Sequence, residues 1–114
     1  MSQSCVFCRI AAKEIPSSIV YEDDDVVAFR DLSPQAPTHV LVICRRHVAS
    51  LDDMVATDAG LLGAMMLAAK NVAAAAGLAA GYRVVTNCGV NAGQSVAHLH
   101  LHLLGGRPMA WPPG

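Results

Sequence analysis

Histidine and leucine alternate without a break from His98 to Leu103, and this short run limits the fold more than any other part of the 114-residue chain. A period of two belongs to a β-strand, in which successive side chains point to opposite faces of a sheet. The run predicts a strand over 97–104 with His98, His100 and His102 on one face and Leu99, Leu101 and Leu103 on the other. Each neutral imidazole carries a donor and an acceptor that need partners once buried. A lone histidine on an apolar strand is commonly structural. Three in register turn one face of the sheet into a place for chemistry, while the leucines claim the opposite face for a core.

The rest of the chain supplies elements to build around that strand. Ile19–Glu22 and Val26–Phe29 have strand character, and Asp23-Asp24-Asp25 between them reads as a hairpin turn. Ser33-Pro34-Gln35-Ala36-Pro37 is a loop by its prolines, and the β-branched run His39–Cys44 is a third strand. From Thr57 to about Ala76 the spacing of Leu61, Met65, Ala69, Val72 and Ala76 is helical. Asp58, Lys70 and Asn71 are essentially its only polar side chains, so the polar face is narrow. Such a helix is expected to touch its own sheet and a second surface, most simply another copy of itself; an alanine-padded surface helix is the rival account. Tyr82–Asn87 adds a strand, and Cys5–Glu14 has mixed helical character. Helix, three strands, long helix, two strands predict an α+β fold, an antiparallel sheet with helices packed on it. The length suits one domain spanning 1–114.

Charge excludes some functions. The net charge is −1 and the longest basic cluster is Arg45-Arg46-His47. Nucleic acid needs a basic stripe to displace counterions, so no nucleic-acid partner is expected, nor a polybasic membrane anchor. Met1–Cys5 has no charged start or apolar core of a leader, and Ala59–Ala69 falls short of the ~20 apolar residues of a spanning helix. A cytoplasmic protein with no membrane partner is expected.

Two chemistries suit the histidine row. Three imidazoles can ligate zinc and activate a bound water, or a central imidazole can attack while its neighbours orient it and bind an anion. Spacing alone does not choose. Upstream, Asn91-Ala92-Gly93-Gln94-Ser95 is a small-residue loop whose backbone N–H groups are expected to cradle phosphate. That favours phosphorus chemistry. Four cysteines without a leader should stay reduced, and Cys5-Val6-Phe7-Cys8 offers two thiolates at ligand spacing. A redox motif of this kind normally follows a strand, which none does here. A metal would need two more ligands, histidine being the usual supplement; reduced thiols without metal are the alternative. Cys44 and Cys88 fall in strand segments and are expected to fill core space.

Gly93-Gln94-Ser95-Val96-Ala97-His98-Leu99-His100-Leu101-His102-Leu103-Leu104 resembles the signature of the histidine-triad (HIT) family. Asp31-Leu32-Ser33-Pro34-Gln35-Ala36-Pro37-Thr38-His39 is similar to the family's other nucleotide-contacting segment, and Gly105 to Gly114 looks like its Hint branch. The resemblance implies a five-stranded antiparallel sheet with one long helix and a short N-terminal helix, and a homodimer whose sheets join into one. It implies hydrolysis, because the nucleotidyltransferase branch has glutamine where this chain has His102. A purine nucleotide would lie among Phe7, Ile10, Ile15, Phe29, Asp31 and Leu32, with Asp31 on the ribose; core packing is the competing account of the apolar positions, Ile15 and Leu32 above all. Asn87, Gly93, Gln94, Ser95 and Val96 would contact phosphate. His100 would be the nucleophile, His102 would stabilise the phosphate oxygens, His39 would support the row, and Ser95 would donate to the leaving group. A nucleophilic imidazole must be neutral, as a free one titrating near ~6.5 mostly is at neutral pH, and one ring nitrogen is expected to donate to a backbone carbonyl. Zinc-containing relatives imply a structural Zn2+ on Cys5, Cys8, His47 and His98, with no catalytic metal.

The activity so implied is cleavage of purine nucleoside 5′-phosphoramidates through a nucleotidyl-histidine. A diadenosine polyphosphate hydrolase, a non-catalytic nucleotide-binding regulator and a three-histidine zinc hydrolase are the alternatives. Cys44 where the family often has proline, Arg30 before Asp31, and the small Ala97 and Ala110 depart from the pattern, and those near the tail bear on the leaving group.

Overall fold

The acidic turn forms around a single carboxylate. In the computed structural model, which describes residues 4–114, Asp23 Oδ1 accepts the N–H groups of Asp25 (2.8 Å) and Val26 (2.9 Å). An aspartate that satisfies the backbone two and three residues on is what reverses the chain here. Met1–Gln3, part of the segment read as lacking a leader, lie outside the described residues. The turn joins β1 (Ile19–Glu22) to β2 (Val26–Arg30), and β3 (Thr38–Cys44) pairs antiparallel with β2.

The chain then crosses the sheet. A 17-residue helix, Ala59–Ala75, leads to two last strands, β4 (Tyr82–Val85) and β5 (His100–Gly105). With the short helix Val6–Ala11 named α1, the long one is α2. The five strands form one antiparallel sheet in the order β1-β2-β3-β5-β4. The final strand therefore does not extend an edge; it slots between β3 and β4.

Alternation sorts the sheet into two cores. Val26, Ala28, Val40, Val42, Leu99, Leu101 and Leu103 pack with Met65, Ala68, Ala69, Val72 and Ala73 of α2. Val27, Phe29, Leu41 and Ile43 pack with Phe7, Ile10 and Ala11 of α1. The opposite side of α2 stays open, with Met66 47% and Leu67 60% exposed. Gly77 ends the helix at φ +74°. Its N–H reaches Ala74 O (3.1 Å) while the N–H of buried Leu78 reaches Ala73 O (3.0 Å), the Schellman arrangement for which a left-handed glycine is suited. No helix among the described residues is long and apolar enough to cross a membrane.

Three boundaries differ from expectation. The last strand starts at His100 rather than Ala97: opposite Cys44 the ladder is replaced by other partners, Leu99 N–H donating to Val48 O (2.6 Å) and the His98 ring donating to Cys44 O (2.7 Å). β4 stops at Val85 rather than Asn87, since the Thr86 hydroxyl caps His100 O (2.8 Å) where the next ladder bond would fall. The long helix begins at Ala59, not Thr57: Asp58 accepts from Val55 N (3.0 Å) and Arg46 Nη2 (2.7 Å), holding Ala56–Asp58 as a 3-10 turn.

Candidate functional site

Because β5 pairs with β3 in the register Leu41↔His102 and Ile43↔His100, the histidine face of one strand meets the odd-numbered face of the other. His39 pairs with Leu104, which makes it the diagonal neighbour of His102. α1 covers this face. Phe7 stands edge-on to the His100 ring at 5.0 Å, to His98 at 5.9 Å and to Phe29 at 5.5 Å. Two of the three imidazoles thus lie against this small helix, His102 packs on His100 and His39, and each ring has a different set of partners.

His100 is buried, and its Nδ1 donates to His98 O at 2.7 Å. A carbonyl can only accept, so the proton sits on Nδ1 and Nε2 keeps its lone pair. The expected carbonyl is therefore that of His98. His102 Nδ1 lies 2.9 Å from His39 Nε2, and His39 Nδ1 accepts the Gln35 N–H at 3.0 Å. Asp31 Oδ2 is 3.5 Å from His39 Nε2. Burial pulls the pKa of His39 and of His102 below the usual imidazole value; the Asp31 carboxylate opposes this at both rings. Both rings are neutral at neutral pH.

A cavity of about 290 Å³ opens over His100 and His102. Phe7, Ile10, Ile15, Phe29, Asp31, Leu32, Ser95 and Val96 line it, so most of the residues implied for a nucleotide share one hollow. Leu32 is 97% exposed, which removes core packing as its role. Asn87, Gly93 and Gln94 are not part of the lining. Two of the loop N–H groups expected to cradle phosphate have partners within the loop. Gly93 N–H is spent on Val90 O (3.1 Å) and Gln94 N–H on Gly89 O (3.1 Å). The Gln94 side chain braces the loop by donating to Ala49 O (2.7 Å) and Val96 O (3.0 Å) and accepting from Gly89 N (2.9 Å). A tight turn consumes its own donors, and Ser95 and Val96 are the loop residues at the cavity.

His98 belongs to a different centre. Its Nε2 donates to Cys44 O (2.7 Å), which leaves the Nδ1 lone pair facing Cys5 Sγ (3.2 Å) and Cys8 Sγ (3.5 Å). His47 Nδ1 is 3.3 Å from Cys8 Sγ, and all four donor atoms lie within 4.8 Å of one another. Burial, joined by the neighbouring Cys5 thiol, pushes the Cys8 thiol up to about 11. A divalent cation would reverse that by stabilising the thiolate. Cys5, Cys8, His47 and His98 can hold a metal ion. The row is therefore divided: His98 faces the thiols, His100 a carbonyl and the cavity, His102 the pair His39 and Asp31. This division overturns the alternative of one ion held by all three. Cys44 is fully buried as expected, whereas Cys88 lies in the loop after β4 and is only half-buried, because that strand ends early.

Sequence reasoning missed Val6, Pro16, Ser17, Arg30 and Leu41 in the lining. Ser17 Oγ is buried with no hydrogen-bond partner among the described residues. Strand alternation could have flagged Leu41, two residues from His39; nothing local flags Ser17.

The HIT domain family matches residues 12–109. The chain is 53% identical, over the full length of both, to a HIT-like protein of Synechococcus elongatus. It is similar to the crystal structure of a HIT family hydrolase from Legionella pneumophila, with a TM-score of 0.95 at 51% identity over 96% of this chain and 99% of that one. A HIT family hydrolase from Clostridium thermocellum is similar at a TM-score of 0.92 and 49% identity, covering 95% of each chain.

Proposed function

The chain belongs to the HIT domain family, and on that premise we propose that it hydrolyses purine nucleoside 5′-phosphoramidates in the manner of the Hint branch. The observation that carries this reading is the tautomer of His100: Nδ1–H is tied to His98 O at 2.7 Å, so the lone pair is kept on Nε2 of a ring that lines a cavity together with Asp31, Ser95 and His102. The two solved hydrolases similar to this chain support a hydrolytic outcome.

His100 Nε2 attacks the α-phosphorus, forming an N–P bond as the P–N bond to the amine breaks. The amine leaves with a proton passed on by the Ser95 hydroxyl, and the water of the second half-reaction restores that proton as it attacks. Charge on the non-bridging oxygens is met by His102 and the free N–H groups at Ser95–Val96. Water then attacks phosphorus, breaks the N–P bond and releases the nucleoside monophosphate, returning His100 to its starting form. The purine stacks among Phe7, Ile10, Ile15, Phe29 and Leu32, and Asp31 accepts from the ribose hydroxyls. His39 acts as support and Asn87 contacts the phosphate, while Gly93 and Gln94 act through the shape of the loop.

Zinc suits the thiol–imidazole cluster, since a tetrahedral ion with Zn–S of about 2.3 Å and Zn–N of about 2.05 Å needs S···N edges of roughly 3.6 Å, close to the observed 3.2–3.5 Å. Bound there, it would cross-link α1 to the histidine row and His47 as a structural ion. A homodimer joined along the β4 edge would pair its open backbone groups and draw on the exposed apolar side of α2. Four free thiols support the cytoplasm as the place of action.

Intact mass spectrometry after a brief pulse of adenosine 5′-phosphoramidate should find a nucleotidyl adduct on the wild-type chain and none on His100→Ala, whose turnover should vanish. Substantial activity in that variant refutes the assignment. Faster cleavage of a dinucleoside polyphosphate than of the phosphoramidate would move the substrate to the rival class.

A further inference from the structure

His100 and His102 stand two residues apart on one strand, and the proposed reaction asks opposite things of them. One must present a lone pair to the cavity; the other must present a proton. For His100 the choice is made by the carbonyl of His98. For His102 it is made at a distance, by a chain of contacts that ends on the surface.

The chain starts at Gln35 N–H, 3.0 Å from His39 Nδ1. A backbone N–H can only donate, so His39 Nδ1 must be the acceptor and its proton must sit on Nε2. The Asp31 carboxylate, 3.5 Å from that Nε2, requires the same proton, since it would otherwise face a lone pair. His39 Nε2–H then donates to His102 Nδ1 at 2.9 Å. With Nδ1 accepting, neutral His102 carries its hydrogen on Nε2, which has no protein partner among the described residues and belongs to a ring lining the cavity. The reverse arrangement would set two hydrogens against each other between Gln35 N and His39 Nδ1. The same logic disposes of Asp31, His39 and His102 as a metal site, although their donor atoms cluster: His39 Nε2 cannot offer a lone pair while Gln35 N–H occupies Nδ1.

Gln35 is itself held in place. Arg107, just beyond β5, donates to Gln35 O from Nη2 (2.9 Å) and Nε (3.3 Å). The approach depends on Gly106, at φ +91°, where a Cβ would come within 2.9 Å of Pro37 Cβ. The Gln35 side chain adds a bond to Ser33 O at 3.0 Å.

We propose that Arg107 is a positioning residue: by clamping Gln35 it holds the N–H that fixes His39, and through His39 it makes His102 an obligate hydrogen-bond donor to the phosphate. The proposal rests on the phosphoryl-transfer reading of the cavity, but its first readout does not need turnover. Long-range 1H–15N correlation spectra of the imidazoles distinguish Nδ1–H from Nε2–H rings. In the wild-type protein His39 and His102 are expected as Nε2–H and His100 as Nδ1–H. In Arg107→Met, where the Asp31 carboxylate still favours Nε2–H on His39 but the Gln35 N–H is no longer held, an Nδ1–H form of His102 is expected to appear beside the Nε2–H form. There kcat for adenosine 5′-phosphoramidate should fall a few-fold, in step with the lost Nε2–H fraction, with KM nearly unchanged, short of the roughly 10²–10³ of deleting an oxyanion donor outright. Arg107→Lys, which keeps one donor for Gln35 O, should recover part of both. An Nδ1–H His102 in the wild type overturns the proposal. So does Arg107→Met losing kcat with His102 unshifted, or shifting His102 with kcat intact. If the wild-type chain turns over no nucleotide while the tautomers are as stated, the functional reading fails and the relay stands.

Discussion

Replacing Phe7 with alanine tests how far the catalytic imidazole depends on the small helix above it. The ring is 6% exposed and stands edge-on to Phe29, His98 and His100 at 5.5, 5.9 and 5.0 Å. Truncating a buried phenylalanine costs about 3–5 kcal/mol, the high end applying where a closed void is left. Phe7 borders the 290 Å³ cavity, so the space created opens into solvent and the low end applies, about 3 kcal/mol, a large share of the roughly 5–15 kcal/mol typical of a domain. The effect on catalysis should be smaller. His100 keeps its bond to His98 O (2.7 Å), and a hydrogen bond worth about 1 kcal/mol still favours the productive ring orientation by roughly fivefold. Urea unfolding should therefore show a loss of about 3 kcal/mol, with kcat reduced only a few-fold and KM raised by the missing wall. Phe7→Leu, which keeps most of the volume, should lose less than half as much stability. A stability loss under about 1 kcal/mol with full activity would mean that Phe7 does not pack on the row as described. A kcat loss beyond a thousandfold would mean that packing is not its main task.

Acid should destabilise the fold earlier than carboxylate titration alone would. Burial lowers the pKa of His39 and His102 in the folded state, while an unfolded imidazole titrates near ~6.5. Below that value the unfolded chain binds more protons, so the contribution present above pH ~6.5 is lost as pH falls through the lower folded values. Unfolding midpoints should drop between pH 7.5 and 5; equal stability at the two would contradict the assignment. Asp58, lowered chiefly by its bond from Val55 N and then by Arg46, acts only further down, near and below about 4. Chelation should strip any zinc from Cys5, Cys8, His47 and His98, lowering the melting temperature by several degrees while substantial activity survives at low temperature; elemental analysis finding well under one zinc per chain as purified would remove the ion from the account.

Local periodicity was enough to read much of this molecule. The two faces of the last strand, the helix with little polar surface, the Asp23 turn and the Cys5–Cys8 knuckle are all written within a few residues, because side-chain direction and turn chemistry depend on near neighbours. The family motif carried the identity of the row. What the chain could not state by itself is which partner each imidazole meets. Slotting β5 between β3 and β4 brings His39 diagonally beside His102, and docking α1 on that face delivers the thiols to His98 and leaves His100 free. Those pairings join residues 63 to 93 positions apart, where strand register and the packing of apolar faces decide the outcome rather than local preference. The same holds for Leu99 N–H turning to Val48 O, where the last strand's ladder gives out, for the Gln94 side chain turned inward to brace its loop, and for Arg107 reaching back to Gln35: each depends on a distant backbone group needing a partner once the sheet has closed.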